Sequence, residues 1–239
     1  MKQTHFLTYL LLISLYIPSL GFSKSSEGEK IIQKVDSIRN PSESFLMEIE
    51  IENPNSAEGP WSGEVKIKGN DKTLVITNAP PSQKGQNMLM LNKDMWIYMP
   101  SLKRAIRVSL SQKLMGEAAN GDISRMRWYG DYNVKIEKQT NKEWTLFLTA
   151  KSKGLTYEKI RVIVDKSNYH PLSADFLSLN GKKLKTAVYR KYERIAGRIR
   201  PTEIYITDAF KKSNYSIIKI KSMSVKDFPA SLFKQTSLR

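Results

Sequence analysis

Short segments in which apolar and polar residues alternate recur along this chain from residue 43 onward. In ESFLMEIEIE, residues 43–52, every second residue from Phe45 to Ile51 is apolar, whereas Glu48, Glu50 and Glu52 are charged. A period of two residues is typical of an antiparallel strand with one buried face and one solvated face. The pattern therefore predicts a first strand over these residues.

Further segments have the composition of strands, and short turn signals separate them. Asn180-Gly181, between two of them, is a strong hairpin signal. Such a series predicts a mainly β protein in which one large antiparallel sheet curls into a barrel or half-barrel. The segments are Ser62–Lys68, Thr73–Thr77, Asn87–Leu91, Met95–Met99, Ala105–Val108, Tyr132–Lys138, Trp144–Ala150, Lys159–Val164, Leu172–Leu179, Leu184–Tyr192, Glu203–Asp208 and Tyr215–Val225.

Two regions have helical patterns instead. Ser26 and Glu29 have the spacing of a capping box, and the apolar residues of Lys30–Arg39 recur at helical spacing. We expect one amphipathic helix there, ending at Asn40-Pro41. In residues 109–128, Ser109 or Ser111 could cap a short helix over Gln112–Met115, and Asp122 a second helix over ISRMRW, residues 123–128.

The first 23 residues have the pattern of a secretory signal peptide. Lys2 precedes an apolar region over Phe6–Ile17, Pro18 follows it, and small residues suit cleavage after Ser23. An uncleaved anchor is the alternative, although the apolar run is shorter than the ~20 residues of a spanning helix. We expect export, and a single domain over residues 24–239. Because the chain has no cysteine, it forms no disulfide and carries no lipidated N-terminal cysteine.

The charge is strongly positive. The chain has 39 Lys and Arg against 23 Asp and Glu, which gives a net charge of +16. Such a balance favours anionic partners, namely lipid headgroups, nucleic acid or an acidic protein. Export argues against nucleic acid. The alternative is a merely basic soluble protein with no such partner.

Residue types that support catalysis are scarce. His170 is the one histidine after residue 23, and no nucleophile elbow, zinc-protease, Walker or dinucleotide-binding pattern occurs. A metal cluster would have too few nitrogen and sulfur ligands. Glu48, Glu50 and Glu52 lie on a face that we expect to be solvated, where nothing would separate the pKa values of an acid–base pair. The sequence thus predicts no enzyme, no metal and no cofactor.

Large apolar side chains, in contrast, are concentrated in residues 88–99. They occupy both the even-numbered and the odd-numbered positions, whereas a strand with one solvated face would alternate apolar with polar residues. Methionine adapts to irregular shapes and is common at binding surfaces. The segment therefore indicates either an ordinary core or a sheet whose concave side holds a helix or a ligand. Met88, Met90, Trp96 and Tyr98 share one parity, and Leu89, Leu91, Met95, Ile97 and Met99 share the other.

The segment 94–136 resembles the LolA-like outer-membrane lipoprotein-sorting proteins. Their pattern is an aromatic-rich strand ending in Pro, a basic turn, a short run ending in Gly, an Asp-led helix, and a return through an aromatic-Asp-Tyr sequence. The matching positions are Tyr98-Met99-Pro100, Lys103-Arg104, Ser111 to Gly116, Asp122-Ile123 and Tyr129 to Tyr132. The leading helix and the long series of strands also suit this family.

The resemblance implies an incomplete barrel, a curved antiparallel sheet covered by a few short helices with an apolar cavity between them. The helix at 30–39 and residues 109–128 would form its lid. The best-studied carriers place an arginine on the first long strand inside the cavity, but Phe45–Ile51 contains none. The predicted cavity residues are Met47, Ile49, Met88, Met90, Trp96, Tyr98, Leu114, Met115, Met126 and Trp128, and the predicted rim residues are Lys103, Arg104 and Arg107.

By this resemblance, we expect a carrier of lipid or lipoprotein acyl chains in the periplasm of a Gram-negative-type bacterium. The alternative is a non-enzymatic adaptor or sensor of the same fold, working with an inner- or outer-membrane protein, a transporter or an anionic membrane surface. A hydrolase acting on envelope material is a third hypothesis, which the missing catalytic patterns disfavour.

Overall fold

The computed structural model describes residues 26–238. The predicted signal peptide lies outside these residues. The order of elements is α1 (Glu27–Arg39), β1 (Ser44–Glu52), β2 (Trp61–Lys68), β3 (Lys72–Ala79), β4 (Met88–Leu91), β5 (Asp94–Met99), β6 (Arg104–Val108), β7 (Lys113–Met115), β8 (Ala118–Ala119), α2 (Asn120–Ser124), β9 (Tyr132–Gln139), β10 (Glu143–Ala150), β11 (Lys159–Asp165), β12 (Pro171–Leu177), β13 (Lys183–Ile195), β14 (Arg198–Asp208) and β15 (Tyr215–Val225).

One 13-stranded antiparallel sheet forms the protein's frame. Its order is β6-β5-β4-β3-β2-β1-β15-β14-β13-β12-β11-β10-β9, so each strand pairs with its neighbour in sequence except where β1 meets β15. That pair joins the first and last parts of the described chain. Within residues 26–238 the edge strands β6 and β9 do not pair with each other, so the sheet stays open. The predicted mainly β, incompletely closed architecture is confirmed.

The concave face of the sheet carries the main apolar core. Strand β2 alternates buried and half-buried residues over its full length, as the period-two pattern requires. Its inward side chains join those of the neighbouring strands, of α1 and of residues 109–131, which we call the insert. The core therefore lies between the sheet and a cover made of α1 and the insert.

Helix α1 begins at the capping box that the sequence predicted. Ser26 Oγ accepts a hydrogen bond from Glu29 N at 3.2 Å, and Glu29 Oε2 accepts one from Ser26 N at 3.0 Å. Ile31, Ile32 and Val35 are buried against the sheet. Near its start the helix approaches β9 so closely that a Cβ at Gly28 would lie 3.0 Å from Val134 Cγ1.

The insert differs from its prediction in both predicted helices. Residues 113–115 form strand β7, which pairs with β8 around Gly116 at φ +56°, a conformation that favours glycine. The second helix, α2, covers Asn120–Ser124 instead of 123–128. Asp122 lies inside its first turn and accepts a hydrogen bond from Ala119 N at 2.8 Å. The helix does not continue to residue 128 as predicted, and the amides of Trp128 and Tyr129 donate to the side chain of Asp36 in α1 instead of to helical carbonyls.

The convex face carries a second, smaller apolar cluster. Leu74 and Leu89 lie on the sheet, and the C-terminal tail, residues 226–238, covers them with Phe228, Phe233 and Leu238. The two phenyl rings meet edge to face with centroids 6.4 Å apart. Within the described residues, no helix is both long and apolar enough to cross a membrane.

Candidate functional site

A small cavity lies between the cover and strands β12 to β15. Its volume is about 30 Å³, enough for one or two water molecules. One side is apolar and is formed by Leu155, Phe176, Ala187, Ile204, Ile206 and Ile218. The other side is formed by charged and aromatic residues of α1 and the insert, including Arg39, Asp122 and Trp128. An apolar floor thus faces a cover that is partly polar.

Asp36 joins α1 to the end of the insert. Its Oδ2 accepts hydrogen bonds from the backbone amides of Trp128 at 2.8 Å and Tyr129 at 2.7 Å. Its Oδ1 lies 3.4 Å from Nη1 of Arg39, whose guanidinium carbon lies 3.9 Å from the Trp128 ring centroid. Burial raises the pKa of Asp36 to about 6, although Arg39 and the two amides favour the ionised form.

A second polar cluster joins the insert to the sheet. Asp122 Oδ1 accepts a hydrogen bond from the Tyr157 hydroxyl at 2.7 Å, and its Oδ2 lies 3.2 Å from Lys185 Nζ. The same ammonium donates to the carbonyl of Glu117 at 2.6 Å. Burial, with the negative charge of Asp122 beside the phenol, raises the pKa of Tyr157. Tyr157 is therefore a neutral hydrogen-bond donor at physiological pH.

Two more arginines hold the cover at its ends. Arg200 of β14 donates from Nη1 to the carbonyls of Ser37 at 2.8 Å and Ile38 at 2.6 Å, near the C-terminus of α1. Carbonyls there lack helical partners, and a cation is favourable beside them. In the insert, Arg125 forms a two-pronged pair with Asp131, with both N–O distances at 2.7 Å.

The buried arginines do not come from the first strand. Arg39 comes from α1 and Arg200 from β14, and both are nearly inaccessible to solvent. The carriers' first-strand arginine thus has no counterpart on β1, but positively charged groups reach the underside of the cover from elsewhere. The sequence carried a usable signal for Arg200, which has the same parity as the inward-facing Ile204 and Ile206 of its strand.

The ten predicted cavity residues separate into two groups. Eight belong to the apolar core on the concave side, where Leu114 is only partly buried. Of these eight, Trp128 is the one that lines the small cavity. Whether they contact a ligand stays a prediction. These eight are Met47, Ile49, Met88, Met90, Leu114, Met115, Met126 and Trp128.

The placement of Trp96 and Tyr98 in the cavity is wrong. Both lie on the convex side, packed against the cluster under the C-terminal tail. The two-residue turn between β4 and β5 pairs Leu91 with Asp94, so an odd-numbered residue of one strand faces an even-numbered residue of the next. Trp96 consequently lies opposite Leu89, and residue parity does not carry across this hairpin.

The three predicted rim cations are on the surface at one edge of the sheet. Lys103 occupies a left-handed turn with φ of 51° just before β6, and Arg104 and Arg107 lie on that edge strand. All three side chains are exposed, and Arg107 forms an ion pair with Asp94. A partner for these residues stays a prediction.

Comparisons with known proteins agree with this architecture. The profile of a family described as "Uncharacterized protein" matches residues 69–239. The crystal structure of LolA superfamily protein NE2245 from Nitrosomonas europaea is 36% identical, with a TM-score of 0.80, over 88% of this chain and 98% of that one. A comparison with curated proteins gave no match.

Two more distant structures share the fold. A putative outer membrane lipoprotein-sorting protein domain from Vibrio parahaemolyticus is 22% identical, with a TM-score of 0.72, over 88% of this chain and 97% of that one. A DUF1329 family protein from Desulfovibrio piger is 18% identical, also with a TM-score of 0.72, over 89% of this chain and 98% of that one.

Proposed function

The chain belongs to the LolA superfamily, and from that premise we propose that it is a non-enzymatic periplasmic carrier of lipid or lipoprotein acyl chains. The observation that carries the proposal is the apolar floor of the concave face beneath a cover held by buried polar groups. The name of the Vibrio parahaemolyticus domain, a lipoprotein-sorting protein, supports the same class of cargo.

Cargo binding requires the cover to move. A cavity that binds benzene measures about 150 Å³, whereas the cavity here measures about 30 Å³. Burial of an acyl chain contributes ~0.8 kcal/mol per CH₂ group. A long chain can therefore offset the loss of several hydrogen bonds, each of which contributes about 1 kcal/mol net.

Helix α1 is the element that we expect to move. Its buried polar attachments are the Asp36 bonds to the insert and the Arg200 bonds to its last carbonyls, and Glu29 adds a long ion pair with Lys151 at 3.9 Å. The insert is fixed to the sheet at more points, through Lys185, through Thr73, and through Ser216, whose hydroxyl accepts the Glu117 amide. Displacement of α1 would open the cavity from the side of Trp128 and Arg39.

Uptake of an acylated probe tests the proposal. The delipidated protein would be titrated with a fluorescent fatty acid and with a palmitoylated peptide, and we expect saturable binding of both. Ala187→Phe fills the floor of the cavity, where Ala187 is buried, and should abolish uptake at a cost of about 1–3 kcal/mol in stability.

Ala105→Phe is the matched control, because Ala105 packs on the convex side. It should bind the probes like the wild type. Absence of saturable uptake by the folded wild-type protein would contradict the proposal. So would loss of uptake in the Ala105→Phe variant with retention in Ala187→Phe.

An adaptor or sensor is the second candidate, and the small volume of the closed cavity favours it. In that case the protein would bind an envelope protein or transporter with its cavity empty. Replacement of Lys103, Arg104 and Arg107 by Glu should then abolish capture of the membrane partner without changing probe uptake. The carrier hypothesis alone predicts that the cavity variant Ala187→Phe is the one that loses function.

A further inference from the structure

Two neighbouring hairpin tips form a basic and apolar surface that the cavity does not use. One tip is residues 178–184, which includes the turn after β12 and the first two residues of β13, and the other is residues 209–214, between β14 and β15. The amide of Ala209 donates to the carbonyl of Leu184 at 3.0 Å. The ammonium of Lys182 lies 4.7 Å from the centroid of the Phe210 ring. The two tips therefore make one continuous surface, which we call the hairpin surface.

The hairpin surface exposes large apolar side chains among lysines. Leu179 is 71% exposed and Phe210 is 69% exposed, the two highest values among the large hydrophobic residues of the described range 26–238. The sequences SLNGKKL and AFKKSN contain four lysines and no Asp or Glu. Leu184 of the first tip is exposed as well, so the joined tips carry an apolar patch, and such patches mark contact surfaces.

Local hydrogen bonds fix both tips in projecting conformations. The carboxylate of Asp208 accepts the amides of Phe210 at 2.7 Å and Lys211 at 2.8 Å, and these bonds lower the pKa of Asp208. In the other tip, Ser178 Oγ accepts the amide of Lys182 at 3.1 Å, and Gly181 has a φ of +84°. The apolar side chains are consequently presented outward on ordered turns.

We propose that the hairpin surface docks onto an anionic lipid bilayer, with Phe210 and Leu179 entering the headgroup region. Lysines near a membrane surface are attracted to anionic lipids, and adjacent apolar side chains add burial at the headgroup boundary. An exposed surface that mixes lysines with apolar side chains suits the anionic headgroups and the acyl boundary of a bilayer, whereas a rigid protein partner would need a complementary acidic groove.

The surface lies beside the cover of the cavity. Lys185 follows the first tip directly and holds Glu117 and Asp122 of the insert. Lys113 of the insert and Lys211 of the second tip line the same shallow groove. Docking would therefore bring the cover next to the membrane, although binding to the bilayer does not depend on cargo.

Vesicle co-sedimentation tests the proposal on residues 24–239. Vesicles of phosphatidylcholine alone are compared with vesicles that contain about 30% phosphatidylglycerol, at low and high salt. We expect the wild type to bind the anionic vesicles about tenfold more strongly, with much of the difference lost at high salt. Leu179→Ser with Phe210→Ser should weaken binding about tenfold, as should Lys182→Gln with Lys211→Gln and Lys212→Gln.

Matched controls separate this surface from general basicity. Leu102→Ser with Val225→Ser changes two other exposed apolar residues, and Lys138→Gln with Lys142→Gln and Lys234→Gln removes three other exposed lysines. Both control variants should bind within about twofold of the wild type, because their residues lie away from the two tips.

Three results would overturn the proposal. One is equal binding of the wild type to both vesicle types, and another is unchanged binding of the hairpin-surface variants. The third is retention on immobilised polyglutamate without vesicle binding, which would assign the surface to an acidic protein. All hairpin-surface variants should keep the uptake of acyl probes, so failure of docking is distinguishable from failure of the carrier function.

Discussion

The two faces of the sheet are both covered by segments outside it, but the covers are attached differently. Over the concave face, α1 and the insert contain the buried charged residues Asp36, Arg39 and Glu117. The sheet contributes the buried cations Lys185 and Arg200, which bind backbone carbonyls of this cover. Over the convex face, the buried side chains of residues 226–238 are all apolar, namely Phe228, Phe233 and Leu238. The concave cover thus combines apolar packing with buried hydrogen-bonded latches. The convex cover is packed by aromatic and aliphatic contacts, and Lys68 Nζ bonds to its start at Asp227 and the Phe228 carbonyl.

This difference indicates which cover can open. Apolar packing loses its full burial energy when the contact is broken, because water gains nothing from the exposed side chains. Buried polar latches are exchanged for bonds to water, so opening costs less per contact. The polar latches of the concave cover therefore cost little to open, and an acyl chain can replace the apolar contacts that Ile31, Ile32 and Val35 lose. The C-terminal tail, in contrast, is suited to stay in place.

The largest effect is expected on the convex side. Phe233→Ala should lower the free energy of unfolding by about 3–5 kcal/mol, because a fully buried aromatic ring leaves a cavity. Denaturant unfolding measures it, with the exposed Ser231→Ala as control. Probe uptake by the folded fraction should not change. A rise in uptake would show that the tail also gates the cavity, so that the two covers do not differ in this respect.

A smaller effect is expected at the latch of α1. Asp36→Asn should lower the free energy of unfolding by about 1–3 kcal/mol, because the neutral side chain loses the ion pair with Arg39 and weakens the bonds to the Trp128 and Tyr129 amides. It should also accelerate uptake of an acyl probe in stopped-flow measurements. Asp94→Asn, in an exposed ion pair, is the control. Unchanged uptake kinetics in Asp36→Asn would remove Asp36 from the opening step.

The pH dependence of stability should report on the same carboxyl group. Its pKa rises from 3.8 to about 6 on folding, so folding favours the protonated form. The contribution of Asp36 is therefore fully present below pH 3.8 and is lost as the pH rises through about 6. The difference in unfolding free energy between wild type and Asp36→Asn should fall across this window. If the unfolding free energy of the wild type minus that of Asp36→Asn rose with pH, the folded state would stabilise the ionised carboxylate instead.

The smallest effect is expected at the edge of the sheet. Arg107→Gln removes an exposed ion pair with Asp94 and should change stability by about 0–1 kcal/mol. Arg125→Gln, which loses the largely buried pair with Asp131 and the bonds to the Asn70 and Asn92 carbonyls, should cost more. Thermal unfolding of the two variants makes the comparison. Equal losses would show that the latches of the insert are no stronger than surface pairs.

Local patterns in the sequence predicted most of the sheet and α1. The alternation of Phe45 to Ile51 and the Ser26–Glu29 capping box are properties of adjacent residues, so they can be seen without tertiary contacts. The insert could not be predicted in this way. Its chain path depends on Ser216, which lies 99 residues from its partner Glu117, and on Asp36, which lies 92 residues from Trp128.

The candidate site was only partly predictable for the same reason. Both faces of the sheet carry apolar clusters, so the apolar character of Trp96 does not indicate which face it occupies. Its position depends on the length of the turn between β4 and β5. The polar residues at the cavity, such as Asp36 and Lys185, were missed because their partners are distant in sequence.

Amide hydrogen exchange of the delipidated protein, with and without a saturating palmitoylated peptide, shows whether cargo opens the concave cover. We expect faster exchange on cargo binding for the amides of Trp128 and Tyr129 and for helix α1, because the Asp36 latch opens. Residues 228–233 should exchange at an unchanged rate. Unchanged or slower exchange at Trp128 and Tyr129 in the presence of cargo, or an equal acceleration in the C-terminal tail, would contradict it.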